Sequence, residues 1–491
     1  MTRRAKIVAT LGPASTDERT LAALLAAGVD VVRLNLSHGS TSSHRQNLRR
    51  VRRLARAAGR EIPVILDLMG PRFRLGALAA PRALRRGECV TLGAAAAGAE
   101  LPVDDSGFLR HLRAGERLLV DNGLVELEVL GKSRGAVAAR VVVGGTVAAR
   151  KGINLPDSRI PFSISAKDRA DIAFAVATGA DYLAASYIGR ARDVEAVREA
   201  IRAAGGAIPI VAKLERAAAV ENIDEIVAAA DAVMVARGDL GVEVALHRVP
   251  VLQKRIVAAG RRMGKPVIVA TQMLESMMGQ PRPTRAESSD VANAVFDGAD
   301  ALMLSGETAA GRFPVESVRT MARIVVEAEA YRAASSPANG TSAADPTAAR
   351  PSSITRLRRE GAALAGAIEI ADVVAAAGVH AAERLAHSHI VAFSQGGFTA
   401  QRIARHRPRA ATLVFTTDAR VARRMQLLWG VTPIHLAREV QHREDLVEEV
   451  ERELLARRAI RPGDCLVLLM GHPMRERPLT NLLRIHRVRG R

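Results

Sequence analysis

A chain of 491 residues exceeds what one hydrophobic core serves and implies two to four domains. Its 48% hydrophobic content suits a large interior, yet no run of eighteen uncharged apolar residues occurs, which argues against a helical membrane span. The formal charge of +20 admits anionic partners, but three tyrosines and one tryptophan are few for stacking nucleic-acid bases, and no recognition motif accompanies the charge. Neither nucleic acid nor a membrane is therefore expected as a partner.

The opening residues Met1–Lys6 pass directly into the strand-like run Ile7–Thr10, without the apolar stretch and small-residue cleavage site of a secretory signal. Cys89 and Cys465 lie far apart and make no metal or redox spacing, so a cytoplasmic protein is expected. Only seven of the 71 basic residues are lysines, so a lysine at a strand end marks a site that needs a compact ammonium.

Apolar runs follow at Lys6–Gly12, Val31–Ser37, Pro63–Leu68, Tyr182–Tyr187, Pro209–Glu215, Ala232–Asp239, Pro266–Met273 and Ala301–Glu307. Each is nearly continuous, as strands buried on both faces must be. Amphipathic stretches such as Glu18–Ala26, Ser42–Ala58, Ala166–Thr178, Val194–Ala203 and Val249–Met263 separate them. Eight strands alternating with helices predict a closed (β/α)8 barrel over 1–73 and 159–335.

The third connection is too long for a loop. Its text turns to short strands and turn signals: Asp121-Asn122-Gly123 leads into Leu124–Val129, and Arg140–Val143 runs into Gly144-Gly145. An inserted, small β-barrel-like domain is expected at 74–158, placed as a lid on the catalytic face. After a helix at Val315–Tyr331, the Ala-, Ser- and Pro-rich stretch Ala333–Ser353 reads as a linker, bounded at 336–353. Strand runs at His389–Ser394, Ala411–Thr416, Thr432–Leu436, Cys465–Met470 and Leu482–Val488, with helices at Thr355–Ala376 and Asp445–Arg457, predict a C-terminal α/β domain over 354–491. Its sheet should be mostly parallel.

Side chains at the C-terminal ends of barrel strands converge on one mouth. Those ends hold Arg33, Asn35, Ser37, Asp67, Lys213, Glu215, Asp239, Thr271 and Ser305. Carboxylates, a lysine, an arginine and hydroxyls at one rim suit metal-assisted chemistry on a phosphorylated anion. Glu215 and Asp239 offer hard oxygen ligands with room for water and substrate oxygens, as magnesium prefers.

Several blocks then closely resemble the pyruvate kinase family: Arg33-Leu34-Asn35-Leu36-Ser37-His38-Gly39, Ala212-Lys213-Leu214-Glu215, Met234–Gly241, Ala270–Met277, Pro281–Glu287 and Leu304-Ser305-Gly306-Glu307-Thr308. They run in family order along the whole chain. The resemblance implies phosphoryl transfer from phosphoenolpyruvate to ADP, the last step of glycolysis. It implies Glu215 and Asp239 as ligands of Mg2+ (or Mn2+), and Lys213 beside the transferring phosphoryl group. Arg33 would clamp phosphoryl oxygens, the backbone of Gly238 and Asp239 the substrate carboxylate, and Thr271 would serve proton delivery; Ser305 joins them as a catalytic candidate. Asn35, His38, Arg74 and Lys151 would meet the nucleotide. A homo-oligomer, by family habit a tetramer, is expected.

One block departs from the commoner pattern. Asp67-Leu68-Met69-Gly70-Pro71-Arg72 carries leucine where many relatives have threonine and arginine where they have glutamate. Asn35, Ser37 and Asp67 remain of a monovalent-cation site whose fourth ligand Leu68 cannot supply. Arg72 would replace the cation, as in the potassium-independent branch, so potassium is expected to be dispensable. In the C-terminal domain, Ser394, Gln395, Gly396, Gly397 and Thr399 resemble the loop that binds a phosphorylated allosteric effector. Two alternatives stand beside this reading: another metal-dependent phosphoenolpyruvate or pyruvate barrel enzyme, and a catalytically silent basic binding protein.

Overall fold

Eight short strands rich in Val, Ile, Leu and Ala bury both faces, and only a closed sheet wrapped in helices satisfies that pattern. The computed structural model describes residues 3–95, 98–133, 135–158, 160–335, 370–436, 443–471 and 480–489. Lys6–Leu11, Val31–Asn35, Val64–Asp67, Tyr182–Ala185, Ile210–Leu214, Ala232–Ala236, Val267–Ala270 and Ala301–Leu304 pair in parallel, each with the next, and the last closes on the first. All eight expected strands are present, each ending slightly earlier than its apolar run. The residues beyond the strand ends turn into the loops that line the mouth.

The surrounding helices start where side chains satisfy their free N–H groups. Asp17 caps Glu18–Ala27, Ser40 caps Thr41–Ala57, Ser165 caps Ala166–Thr178 and Thr284 caps Arg285–Asp297. Below the barrel an acidic residue recurs immediately before a strand. Asp30, Asp181, Asp231 and Asp300 accept from the N–H groups of Ile7, Val64, Ile210 and Val267 at 2.8, 2.8, 2.9 and 3.0 Å. Each carboxylate thus ties the start of its strand to the start of a neighbour, fixing register around the ring.

The insertion forms a seven-stranded sheet and a two-stranded ribbon around a core of its own, including Leu92, Phe108, Leu118, Leu127 and Val137. Its first strand, Phe73–Arg74, pairs antiparallel with its last, Gly152–Asn154, so the insertion leaves and re-enters the barrel at one place. That sheet takes in Phe73, one residue ahead of the expected boundary. The Asp121–Gly123 turn has positive φ at all three residues, between the strands Arg117–Val120 and Val125–Ser133.

The helix after the barrel runs over Pro314–Ser335, so the first residues of the expected linker are helical; 336–353 lie outside the described residues. The helix expected at Thr355–Ala376 is seen over Ile370–Arg384, and 355–369 again lie outside the described residues. Alanine-rich text placed the helix but not its end, which extends eight residues further. The C-terminal sheet has four parallel strands, Ser388–Phe393, Ala411–Thr416, Val431–His435 and Cys465–Met470, with Leu482–Arg487 antiparallel on one edge. Among the described residues no helix is long and apolar enough to cross a membrane.

The barrel floor is joined to this domain by buried charge. Asp300 accepts from Arg407 Nη2 at 2.9 Å and from the Trp429 N–H at 3.2 Å. Lys6 Nζ donates to the Val431 carbonyl at 2.7 Å. The guanidinium groups of Arg4 and Arg407 lie 5.3 and 5.2 Å from the Trp429 ring centroid.

Candidate active site

Six strand ends contribute to one chain of polar and charged contacts at the mouth. Thr10 Oγ1 accepts from Arg33 Nη1 at 3.1 Å, and Arg33 Nε donates to Asp67 Oδ2 at 2.7 Å. Lys213 Nζ lies 3.5 Å from Asp67 Oδ1 and 3.3 Å from Glu215 Oε2, and donates to Ser186 Oγ at 2.7 Å. Glu215 Oε1 accepts from the Tyr187 N–H at 2.7 Å. The Tyr187 phenol oxygen accepts from Arg72 Nε at 3.3 Å, and Arg72 Nη2 donates to Asp239 Oδ1 at 2.8 Å.

Alternation sets the protonation states. Burial works against the Lys213 ammonium, but Asp67 and Glu215 outweigh it and raise its pKa above the ordinary value. Burial likewise opposes the Asp67 carboxylate, and Lys213 and Arg33 overcome it to hold the pKa low. Arg72 is also held more firmly charged, with Tyr187 and Asp239 outweighing its burial. Glu215 behaves differently. Burial pushes its carboxyl up to about 7, Lys213 pulls it down, and Asp239 pushes it further up.

Glu215 Oε2 is fully buried and accepts no hydrogen bond. The Lys213 ammonium at 3.3 Å is its only ion-pair partner among the described residues, and the neighbouring Asp239 carboxylate adds a second negative charge, so the oxygen has coordination to spare for a metal ion. Among the described residues no three His, Cys, Asp or Glu side chains group closely enough to hold a metal alone. Two carboxylates fit an ion that keeps waters and takes substrate oxygens, which is the habit of magnesium. Glu215 and Asp239 therefore suit a divalent cation.

Further round the rim, Thr271 Oγ1 accepts from the Gly238 N–H at 2.8 Å and donates to the Ala270 carbonyl at 2.6 Å. Thr271 and Gln272 both have positive φ, 68° and 53°, a bend that turns the hydroxyl toward the mouth side of Gly238. The Ser305 N–H donates to Glu307 Oε2 at 2.7 Å, leaving Ser305 Oγ buried and without a hydrogen bond. Asn35 Oδ1 accepts from the Ser37 N–H at 3.1 Å, and Asn35 lies in register with Asp67. Leu68 is buried. Arg72 spends its hydrogen bonds on Asp239 and Tyr187, on the Glu215 side of the mouth.

The expected nucleotide residues divide between two places. The His38 carbonyl accepts from His44 Nε2 at 2.7 Å beside the second strand end. Arg74 and Lys151 lie on the inserted domain, where Arg74 Nη1 donates to the Arg150 carbonyl at 3.0 Å and Lys151 pairs with Asp121 at 2.8 Å. The glycine turn of the C-terminal domain stands apart from this mouth. There Gly397 has φ +85°, Gln395 Oε1 accepts from Thr417 Oγ1 at 3.1 Å, and the hydroxyls of Thr399 and Thr480 meet at 2.7 Å. The Ser394 N–H donates to the Phe415 carbonyl and Gly396 faces open space.

Thr10, Ser186 and Tyr187 were not among the sequence candidates. Thr10 and the pair Ser186-Tyr187 end the first and fourth strands, and reading every strand end would have found them. Tyr187 has φ +63°, a backbone that no tyrosine announces in sequence.

Comparison with known proteins agrees with this geometry. The family model for the pyruvate kinase barrel domain matches residues 2–318, and that for the pyruvate kinase alpha/beta domain matches residues 372–486. A pyruvate kinase of Mycobacterium tuberculosis is 40% identical over 493 residues, covering 99% of both chains. One from Corynebacterium glutamicum is 40% identical, covering 99% of this chain and 98% of its own. One from Geobacillus stearothermophilus is 37% identical over 99% of this chain and 80% of its own. Likeness of this extent, over barrel and C-terminal domain alike, places the chain in the pyruvate kinase family.

Proposed function

We propose that Lys213, Arg33, Glu215 and Asp239 carry the family's reaction in this enzyme, with Thr271 and Ser305 completing the rim. That reaction is the transfer of a phosphoryl group from phosphoenolpyruvate to ADP, giving pyruvate and ATP. The observation behind the assignment is the unbroken run Arg33–Asp67–Lys213–Glu215, in which two cations alternate with two buried acids and Glu215 keeps one oxygen that accepts no hydrogen bond. The family is in general magnesium-dependent. A divalent ion held by Glu215 and Asp239 would supply Lewis acidity toward substrate oxygens.

The chain's own residues would do the rest. The Arg33 guanidinium, anchored by Asp67 and Thr10, presents its remaining N–H groups to phosphoryl oxygens. The Lys213 ammonium neutralises charge on the phosphoryl group in flight and on the enolate left behind. Gly238 and Asp239 N–H groups receive the substrate carboxylate, for which the Thr271 hydroxyl stands in at Gly238. Thr271 then relays the proton that makes pyruvate from the enolate. Asn35, His38, Arg74 and Lys151 meet the nucleotide when the inserted domain closes and expels water.

The same proposal divides the chain into a barrel (1–73 and 159–335), a lid (74–158), a linker (336–353) and a C-terminal regulatory domain (354–491), in a cytoplasmic homotetramer. Potassium is dispensable, because the Arg72 guanidinium brings a permanent positive charge to the mouth that no pH titrates away. A phosphorylated effector is received at Ser394–Thr399. Pyruvate formation from phosphoenolpyruvate and ADP, with magnesium and potassium varied separately, is the central test. Dependence on magnesium and indifference to potassium are expected; strong potassium activation would refute the Arg72 assignment. Substrate curves repeated with sugar phosphates and AMP test the effector loop, and flat responses throughout would remove it.

A further inference from the structure

The inserted domain meets the barrel at the far end of the short helix that carries Asp239. Glu243, four residues beyond Asp239 in the helix Arg237–Glu243, is 6% exposed, and its Oε1 accepts from Asn154 Nδ2 at 3.2 Å. Asn154 ends the inserted strand Gly152–Asn154, directly after Lys151. The neighbouring helix residue, Val242, faces the Asp121–Gly123 turn, where a Cβ on Gly123 would stand 3.8 Å from Val242 Cγ1. Asp121 of that turn also holds Lys151. Two separate points of the inserted domain thus reach consecutive residues of one short helix, and both belong to the surroundings of Lys151.

Glu243 is a costly choice for that position. Burial pushes its carboxyl pKa up, while Arg216, Asn154 and the Ala217 N–H favour its ionised form. Arg216 directly follows Glu215 in the chain. A narrow cleft between the two domains is lined by Phe73, Ile153, Asn154, Tyr187, Arg216 and Glu243. Three of these stand one step from a metal-facing carboxylate: Tyr187 by its N–H bond to Glu215, Arg216 by sequence, Glu243 by one helical turn. Apolar packing would close such a hinge without the desolvation cost, so the acid is there for its acceptor oxygens.

We propose that Asn154 and Glu243 form a latch through which closure of the inserted domain is felt at Asp239. Both are positioning residues. Docking of the Asn154 amide fixes the last turn of Arg237–Glu243, and a helix of seven residues transmits that constraint to its first turn, where Asp239 lies. The inference rests on the assignment of Asp239 to the divalent ion and of Lys151 to the nucleotide.

The full-length enzyme tests it with Asn154→Ala, Glu243→Ala and Glu243→Gln. Amide hydrogen exchange at Gly152–Leu155 should be about tenfold faster in both alanine variants, as loss of one hydrogen bond to a charged group implies. KM for ADP should rise by about the same factor with kcat at saturating ADP little changed, and Mn2+ should bind more weakly in a direct titration without substrates. Glu243→Gln keeps an oxygen for the Asn154 amide and should return exchange and KM toward the parent values. Should Glu243→Ala not fold, Asn154→Ala and Glu243→Gln carry the test. Unchanged exchange in Asn154→Ala overturns the latch, and faster exchange with unaltered Mn2+ affinity overturns its coupling to Asp239. Asp239→Asn, titrated alongside, judges the metal assignment separately: if it binds Mn2+ like the parent, that assignment fails while hydrogen exchange still decides the hinge.

Discussion

The barrel mouth and the glycine turn at Ser394–Thr399 are built alike, as parallel strands handing over to helices, and they differ in what their side chains carry. At the mouth, Arg33, Asp67, Lys213 and Glu215 alternate in sign and are almost fully removed from water. At the turn, Gln395 and Thr399 are neutral and satisfied by Thr417 and Thr480. Backbone N–H groups alone attract an anion weakly, whereas fixed ammonium and guanidinium groups in a dry cavity can hold a charge while it moves. Shape is common to the two places; stored charge belongs to one.

The sharpest way to break this contrast is Lys213→Met, which leaves the strand and removes the ammonium. Turnover should fall by about a thousandfold, read in a coupled assay of pyruvate formation. A loss under tenfold would mean that the mouth does not depend on its alternating charges.

Asp67→Asn comes next, because it takes the carboxylate partner from Arg33 and one of two from Lys213. A loss of about 3–5 kcal/mol in denaturant unfolding is expected, the usual result of breaking a buried pair. The sign with pH follows from the lowered pKa of Asp67, whose ordinary value is 3.8. Its stabilisation is complete above that ordinary value and is lost as pH falls through the lower folded value. The stability gap between parent and variant should therefore be widest near neutrality and narrow in strong acid.

Arg72→Gln sharpens the contrast within the mouth itself, since it removes a charge without opening a cavity. Activity in potassium-free buffer should drop about tenfold, the scale of one charge-assisted hydrogen bond, and added potassium should recover part of it. Persistent indifference to potassium in the variant would deny Arg72 the part of a built-in cation.

The smallest effect belongs to the turn. Gly397→Ala forces a Cβ into left-handed backbone and should cost about 1 kcal/mol in thermal unfolding, with kcat unaltered. A collapse of catalysis on that change would erase the difference between the two regions.

Much of this was legible before any coordinates. Eight doubly buried strands betray themselves as unbroken apolar runs, and Asp121-Asn122-Gly123 announces a hairpin, because period and turn chemistry are local properties. Arg33, Lys213, Glu215 and Asp239 could be found because the barrel sends every strand end to the same place. Tyr187 was hidden because an aromatic closing an apolar run reads as core, and its left-handed backbone, its close approach to Gly70 and its N–H bond to Glu215 are tertiary features. The partner of Arg72 could not be read, since the third strand end and the sixth are brought together only by closure of the ring. The recurring Asp30, Asp181, Asp231 and Asp300 are plain in the text, but their purpose needs the neighbouring strand.

The seam beneath the barrel has a practical consequence. Trp429 is the sole tryptophan of the chain, 7% exposed, with Arg4 and Arg407 beside its ring and its backbone N–H tied to Asp300. Its emission is therefore a label-free gauge of one joint, blind to the lid and to the far edge of the C-terminal sheet. A red shift that precedes loss of helical ellipticity would time the parting of the two large domains as a separate event on the way to unfolding.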